Sequence, residues 1–309
     1  FSTVLFLFSF FIDDLLDVEI GNLVKVLAPF CFILPFQFFI SEIAIGANKL
    51  KSLSLFHLFS RLLFIVSLFV LWKGNHLNIQ LIIILNLLSW LVSTVITLGS
   101  FRPTFSNRNE NIKLVKEKNK SFGLSYYFGA IVNQSTYKLD EIFITYFVNI
   151  TQLGFYTLAS IICSPMTFLS RAFVNSIFKK LALKDRIPIR VFVYNTLWLI
   201  LCVLFLYFSA DFIVSTLFGS DYLKVSSYIL PLSVAFLFQG MYAPFSFLAV
   251  KSKGKELRNV AYLEASVNVI GNVILVPIYL VEGAIYASIF SRFIHFIGLW
   301  YYYNKMVKS

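Results

Sequence analysis

Apolar stretches of about 20 residues recur along this chain from one end to the other. A helix of that length rises about 30 Å, the thickness of a hydrocarbon layer, so the repetition restricts the fold more than any other feature. Of the 309 residues, 59% are hydrophobic and 13% charged, and that charged share is about half of what a soluble domain carries. A soluble core does not account for such a composition. The sequence therefore predicts an all-α, polytopic membrane protein. Full spans are expected at 20–43, 52–72, 77–99, 122–148, 153–177, 190–210, 223–249, 258–280 and 283–304. A first apolar run, 1–12, is too short to cross alone. The chain begins at Phe1, with no basic region before that run and no small-residue cleavage site ahead of Asp13. The reading is accordingly an N-terminally incomplete chain and not a signal peptide.

The basic residues alternate with the spans. One set of loops holds Lys49 and Lys51, then Arg102 to Lys120, Lys179 to Arg190, Lys251 to Arg258, and Lys305 with Lys308. The other set holds only Lys25, Lys73 and Lys224, a division of nineteen against three. By the positive-inside rule the basic loops and the C-terminus are cytoplasmic. Topology thus explains the net charge of +11, and nucleic acid is not an expected partner because no basic domain gathers the charge in one place. Trp72, Trp300 and the run Tyr301, Tyr302, Tyr303 fall at span ends, where amphipathic rings favour the interface. Cys31, Cys163 and Cys202 stand alone in apolar runs, which argues against a disulfide or a zinc site.

The longest polar stretch, Phe101 to Ser121, reads as a solvated, flexible connector attracted to anionic headgroups. It divides the chain into an N-terminal lobe (1–100), the basic linker (101–121) and a C-terminal lobe of six spans (122–309).

Seven ionisable residues are left at membrane depth: Arg61, Lys138, Asp140, Glu141, Arg171, Glu264 and Arg292. Each costs about 2.5 to 3.5 kcal/mol at a helix centre, so an interior cavity or ion pairs must receive them. The densest polar run, Asn133 to Glu141, lies within one predicted span. On a continuous helix Asn133, Tyr137 and Asp140 fall within about 40° to 60° of one another, and Lys138 and Glu141 are i,i+3 neighbours. Two readings stand side by side. In one, Lys138 and Glu141 simply pair while Asp140 bonds to a neighbouring span. In the other, the face is wet and lines a cavity for a sugar headgroup. Arg61 and Arg292 sit near mid-depth; Arg171 and Glu264 lie closer to the interface, where snorkelling or local pairing serves equally well. Guanidinium and ammonium groups in a hydrated cavity suit a diphosphate. Asp140 is also a candidate for proton or sodium coupling. No enzymatic constellation competes: His57, His76 and His295 are scattered, and there is no G-x-S-x-G, Walker A, metal-spaced pair or Rossmann glycine set. Neither enzyme activity nor a cofactor is expected.

Three stretches carry a resemblance. Tyr137-Lys138-Leu139-Asp140-Glu141-Ile142-Phe143-Ile144 is followed by Leu153-Gly154-Phe155-Tyr156-Thr157-Leu158-Ala159. Then comes Leu217-Phe218-Gly219-Ser220-Asp221-Tyr222. The last is Asn268-Val269-Ile270-Gly271-Asn272-Val273-Ile274-Leu275-Val276-Pro277-Ile278-Tyr279 with Glu282-Gly283-Ala284-Ile285-Tyr286-Ala287-Ser288. In this order the chain resembles the Wzx-type polysaccharide and O-antigen flippases of the MOP superfamily, which also contains MATE exporters and the lipid II flippase. The resemblance implies a MATE-like, two-lobe helical bundle about a central cationic cavity in the bacterial inner membrane. Alternating access would move an undecaprenyl-diphosphate-linked oligosaccharide between leaflets. It also implies membrane lipids and other polysaccharide-assembly proteins as contacts. The cavity candidates are Arg61, Asn133, Tyr137, Lys138, Asp140, Glu141, Arg171 and Arg292. A MATE-type ion-coupled exporter of small molecules is the competing expectation.

Overall fold

The computed structural model of the chain describes residues 2–13, 20–75, 77–101, 106–136 and 138–308, which form helices and turns with no strand among them. Where water is absent, a helix is the one single-segment arrangement that bonds its own backbone groups. Seven helical segments among the described residues are long and apolar enough to cross a bilayer. The chain is a multi-pass membrane protein.

It divides into two compact units, Phe1–Ser106 and Asn107–Ser309. In the first, α1 (Ser2–Phe8) precedes α2 (Gly21–Leu27), which passes through a 3-10 turn at Ala28–Phe32 into α3 (Ile33–Gly46). Asp13 caps the start of α2 by accepting from the backbone N–H groups of Ile20 and Gly21 at 2.8 and 2.7 Å. The long helices α4 (Leu50–Lys73) and α5 (Ile79–Phe101) pack on each other around Ile33, Ile40, Phe56, Leu87 and Trp90.

The second unit opens with α6 (Arg108–Lys118), an 11-residue helix with no buried residue. It runs through a π-turn at Asn119–Gly123 into α7 (Leu124–Thr136). The stretch expected to be a flexible connector is thus largely helical from Arg108 onward, while 102–105 lie outside the described residues. There follow α8 (Leu139–Phe147), α9 (Ile150–Cys163), α10 (Pro165–Ala182), α11 (Ile189–Phe218), α12 (Lys224–Gly240), the short α13 (Ser246–Val250) and α14 (Gly254–Lys308).

The 55 residues of α14 are two legs, because Leu280 leaves helical geometry at φ 55° and ψ −130°, three residues after Pro277. The legs lie against each other: a Cβ on Gly283 would meet the Leu275 carbonyl oxygen at 2.1 Å, and one on Gly271 would meet the Ala287 Cβ at 3.0 Å. Small residues allow this approach, and packing of this kind holds helices together where lipid supplies no hydrophobic drive. The break coincides with the gap expected between spans 258–280 and 283–304. Expected span 122–148 is not one helix but α7 and α8, with Lys138 outside helical conformation at the start of α8; 153–177 is likewise shared by α9 and α10, and 223–249 by α12 and α13.

The core of the second unit gathers α8, α9, α11, α12 and both legs of α14, with Ile144, Leu199, Ile229, Leu232 and Ile285 fully buried. A polar knot ties three of its helices. Ser170 of α10 and Asn195 of α11 both donate to the carbonyl of Gly240, at 2.8 and 3.2 Å, where α12 ends. That carbonyl is one of the unpaired acceptors every helix terminus leaves behind. Elsewhere large apolar side chains such as Phe38, Phe39, Phe208 and Phe212 are exposed, as lipid contact requires.

Candidate functional site

The interruption of the α7–α8 span sets the geometry of the site. Lys138 stands at the N-cap of α8 outside helical conformation, so Asp140 and Glu141 fall in the first turn. Helix N-termini carry partial positive charge and unpaired N–H groups, which favour acidic side chains there. Asp140 is buried. Its Oδ1 accepts from Asn272 at 2.7 Å and from Asn268 at 3.1 Å, both on the first leg of α14. Its Oδ2 accepts from Tyr156 of α9 at 2.8 Å and from Ser288 on the second leg. Four donors from three segments thus hold one carboxylate, and hydrogen bonds to an ionised group are the stronger kind. No cation lies within 4 Å of it among the described residues.

A second acid, Glu264, lies 124 residues further along the chain, on the first leg of α14, with its side chain 15% exposed. Glu264 accepts from Asn133 of α7 at 2.7 Å, meets Nδ1 of His295 at 2.5 Å, and is 3.4 Å from the Tyr242 hydroxyl. Tyr242 stacks on His295 at 4.2 Å between ring centroids and donates to the Arg292 carbonyl at 2.8 Å. Glu264 and His295 are on opposite legs of α14, so this pair clasps the hairpin and fastens α7 to it.

Asp140 and Glu264 line one polar cavity of about 80 Å³ together with Asn133, Arg171, Gln239 and Arg292. A water occupies about 30 Å³ in the liquid, so the cavity has room for a few waters or a small ion and not for a sugar diphosphate. Its two arginines are matched by two carboxylates, which makes it balanced where a cationic cavity was expected. Arg292 forms no ion pair among the described residues; its guanidinium lies 4.6 Å from the Phe236 ring centroid, and its Nη1 is buried without a protein hydrogen-bond partner. Asp140 and Arg292 also line a wider pocket of about 210 Å³ that carries Lys138, Glu141 and Tyr156. The two side chains are therefore shared by both cavities.

Of the eight expected site residues, the structure brings Asn133, Asp140, Arg171 and Arg292 around the smaller cavity. Lys138 and Glu141 form an ion pair, with side chains 59% and 28% exposed. Neither is the buried charge that its depth in the sequence implied, whereas Asp140 in the same first turn is buried. Arg61 belongs to the first unit, where its guanidinium lies exposed over the Trp90 ring at 5.2 Å. It does not sit in an interior cavity of that unit. Tyr137 lies outside the described residues, and the helical wheel that grouped it with Asn133 and Asp140 does not apply across the break. The pairing of Lys138 with Glu141 and the bonding of Asp140 to neighbouring segments were one of the two alternatives left open by the sequence. The structure has both contacts, and a polar cavity beside them.

Sequence reasoning passed over Asn268, Asn272, Ser288 and Tyr156 as ligands of the carboxylate. Two amides one helical turn apart within an apolar run were the available signal. It also left His295 among scattered histidines, although its ring is 12% exposed and bonded to Glu264. No cluster of three or more His, Cys, Asp or Glu side chains suited to a metal exists among the described residues. The Oδ1 atoms of Asn268 and Asn272 are buried without a hydrogen-bond partner, while their Nδ2 groups face Asp140. No protein-family model, curated protein or solved structure matches the chain.

Proposed function

We propose that this chain works in a secondary transporter that carries a lipid-linked oligosaccharide across a bacterial inner membrane, with its basic loops and C-terminus on the cytoplasmic side. The observation that supports this most is the broken α7–α8 span with Asp140 in the first turn after the break. Non-helical backbone is tolerated at membrane depth where protein or a water-lined cavity receives it, and interrupted helices around a midplane site are a recurrent device of transporters that alternate access. Adding a proton or a cation to Asp140 would take away acceptor capacity from Tyr156, Asn268, Asn272 and Ser288. The hold of α8 on both legs of α14 would loosen. Ion occupancy and helix position are coupled in this way.

The diphosphate of the substrate would meet the wider pocket at Lys138 and Arg292, since ammonium and guanidinium groups recognise phosphate oxygens. The polyprenyl tail would stay in lipid. A second reading draws on the matched charges and small volume of the smaller cavity: an ion-coupled exporter of small molecules, with Asp140 as the coupling carboxylate.

Expression in a flippase-null bacterium separates the two. The flippase reading expects restored surface glycan with wild type, and lipid-linked intermediate accumulating in the cytoplasmic leaflet with Asp140→Asn and Arg292→Gln at normal membrane levels. Failure of wild type across several glycan hosts, together with gradient-driven dye efflux that Asp140→Asn abolishes, would replace it with the exporter.

A further inference from the structure

We infer that the second unit carries a binding site for an anionic glycerophospholipid at the end of its helices where the loops are basic, apart from the Asp140 cavity. Two hollows share one wall, the second leg of α14, at successive points along its length. The outer one, about 400 Å³, is lined by Arg186, Lys251 and Lys253, with Asp185, Met306 and Val307. The other, about 500 Å³, is apolar and runs between α11 and the second leg of α14, lined by Phe192, Val193, Leu197, Phe296, Ile297 and Trp300 among others.

Their alignment follows from helix geometry. Val307 lies seven residues beyond Trp300, on the same face after two turns and about 10 Å along the axis. Arg186 precedes Phe192 by six residues on the other wall. A ligand that fills both hollows must be charged at one end and apolar for the rest of its length, and a phospholipid of the surrounding bilayer has that form.

The sign of the charge decides which phospholipid. Three cations and one acid line the outer hollow. Part of that positive charge is engaged: Lys253 is 3.9 Å from Glu256, and the Lys251 ammonium lies 5.2 Å from the Phe247 ring centroid. The remainder favours an anionic headgroup, and basic pockets between spans at the membrane surface are the usual recognition device for one.

The site is built and not merely exposed. The backbone N–H of Ile187, next to Arg186, donates to the Tyr303 hydroxyl at 3.0 Å, and both residues are buried. Phe192, Phe245, Phe247 and Trp300 surround Tyr303 with ring centroids 5.9 to 6.5 Å from its own. This aromatic cluster fixes the basic loop against the last turns of α14. The inference does not rest on what the transporter carries.

The test is quenching of Trp300 fluorescence in a full-chain variant whose other tryptophans are phenylalanine (W72F, W90F, W198F), reconstituted with brominated phosphatidylglycerol or brominated phosphatidylcholine. At equal mole fraction the anionic lipid is expected to occupy the groove about fivefold more than the zwitterionic one, the equivalent of one net basic contact. Arg186→Gln with Lys251→Gln should remove the preference and leave total quenching unchanged, while Arg186→Lys retains it. Equal quenching by the two lipids in the parent would overturn the inference without recourse to any loop variant. So would a preference that persists in the double variant.

Discussion

Asn272 donates to Oδ1 of Asp140 at 2.7 Å across 132 positions of sequence, and the contact joins the segment that follows the break to the first leg of the long hairpin. Because four donors converge on this carboxylate, its removal does more than delete one interaction. Asp140→Ala leaves each donor to find water or a new acceptor, at about 1 to 3 kcal/mol for a buried group without a partner. Asp140→Asn preserves shape but sets an NH₂ against donors. We expect both to lower thermal stability in detergent, alanine more than asparagine. A melting temperature unchanged in both would show that the network does not hold the helices.

Glu264 and His295 should behave as one unit. His295→Phe keeps a ring to stack on Tyr242 but loses the bond to Glu264, and Glu264→Gln keeps the acceptor for Asn133 with altered charge. Paired side chains of this kind show interaction energies of about 0.5 to 3 kcal/mol in a double-mutant cycle. Strict additivity of the two changes in denaturation free energy would mean that the clasp is energetically idle.

Lys138→Ala is expected to leave stability within about 1 kcal/mol of the parent, since an exposed ion pair contributes little. Its side chain is 59% exposed. Loss of transport at normal stability and membrane level would then assign the ammonium to substrate contact, whereas unchanged transport returns it to local pairing with Glu141.

Gly283→Ala tests the hairpin. The new Cβ would fall 2.1 Å from a backbone oxygen that cannot swing aside, so the legs must separate. Overpacking of this kind costs about 1 to 3 kcal/mol. Gly154→Ala, where nothing lies within 4 Å of the added atom, is the matched control and should not destabilise. Equal melting curves for the two variants would contradict the close approach.

Much of this fold could be read in the sequence because bilayer thickness writes a length into every span. The polarity of the Asn133–Glu141 run was equally plain, and it led to the cavity through Asn133 and Asp140. The interruption was not legible, since no proline or glycine stands between Thr136 and Leu139 and a helical wheel runs straight through them. On a continuous helix Lys138 and Glu141 counted as buried charges; in the structure they are more exposed than that and satisfy each other. His295 was overlooked for a different reason. Its partner Glu264 is 31 residues away and reaches it only because the chain doubles back at Leu280, a residue whose side chain does not announce a positive φ. Arg61 was grouped by depth with residues of the other unit, and depth along a span does not say which way a side chain faces.

The doubling back at Leu280 places Asn268 and Asn272 on the outgoing leg and Ser288 on the returning one, all bonded to the same carboxylate. Asp140 is in effect a gauge of how the two legs are aligned. If one leg slides past the other by a single residue, about 1.5 Å along its axis, amide and hydroxyl can no longer reach the two oxygens together. A displacement too small to alter the outline of the protein would therefore register as the loss of a complete set of donors.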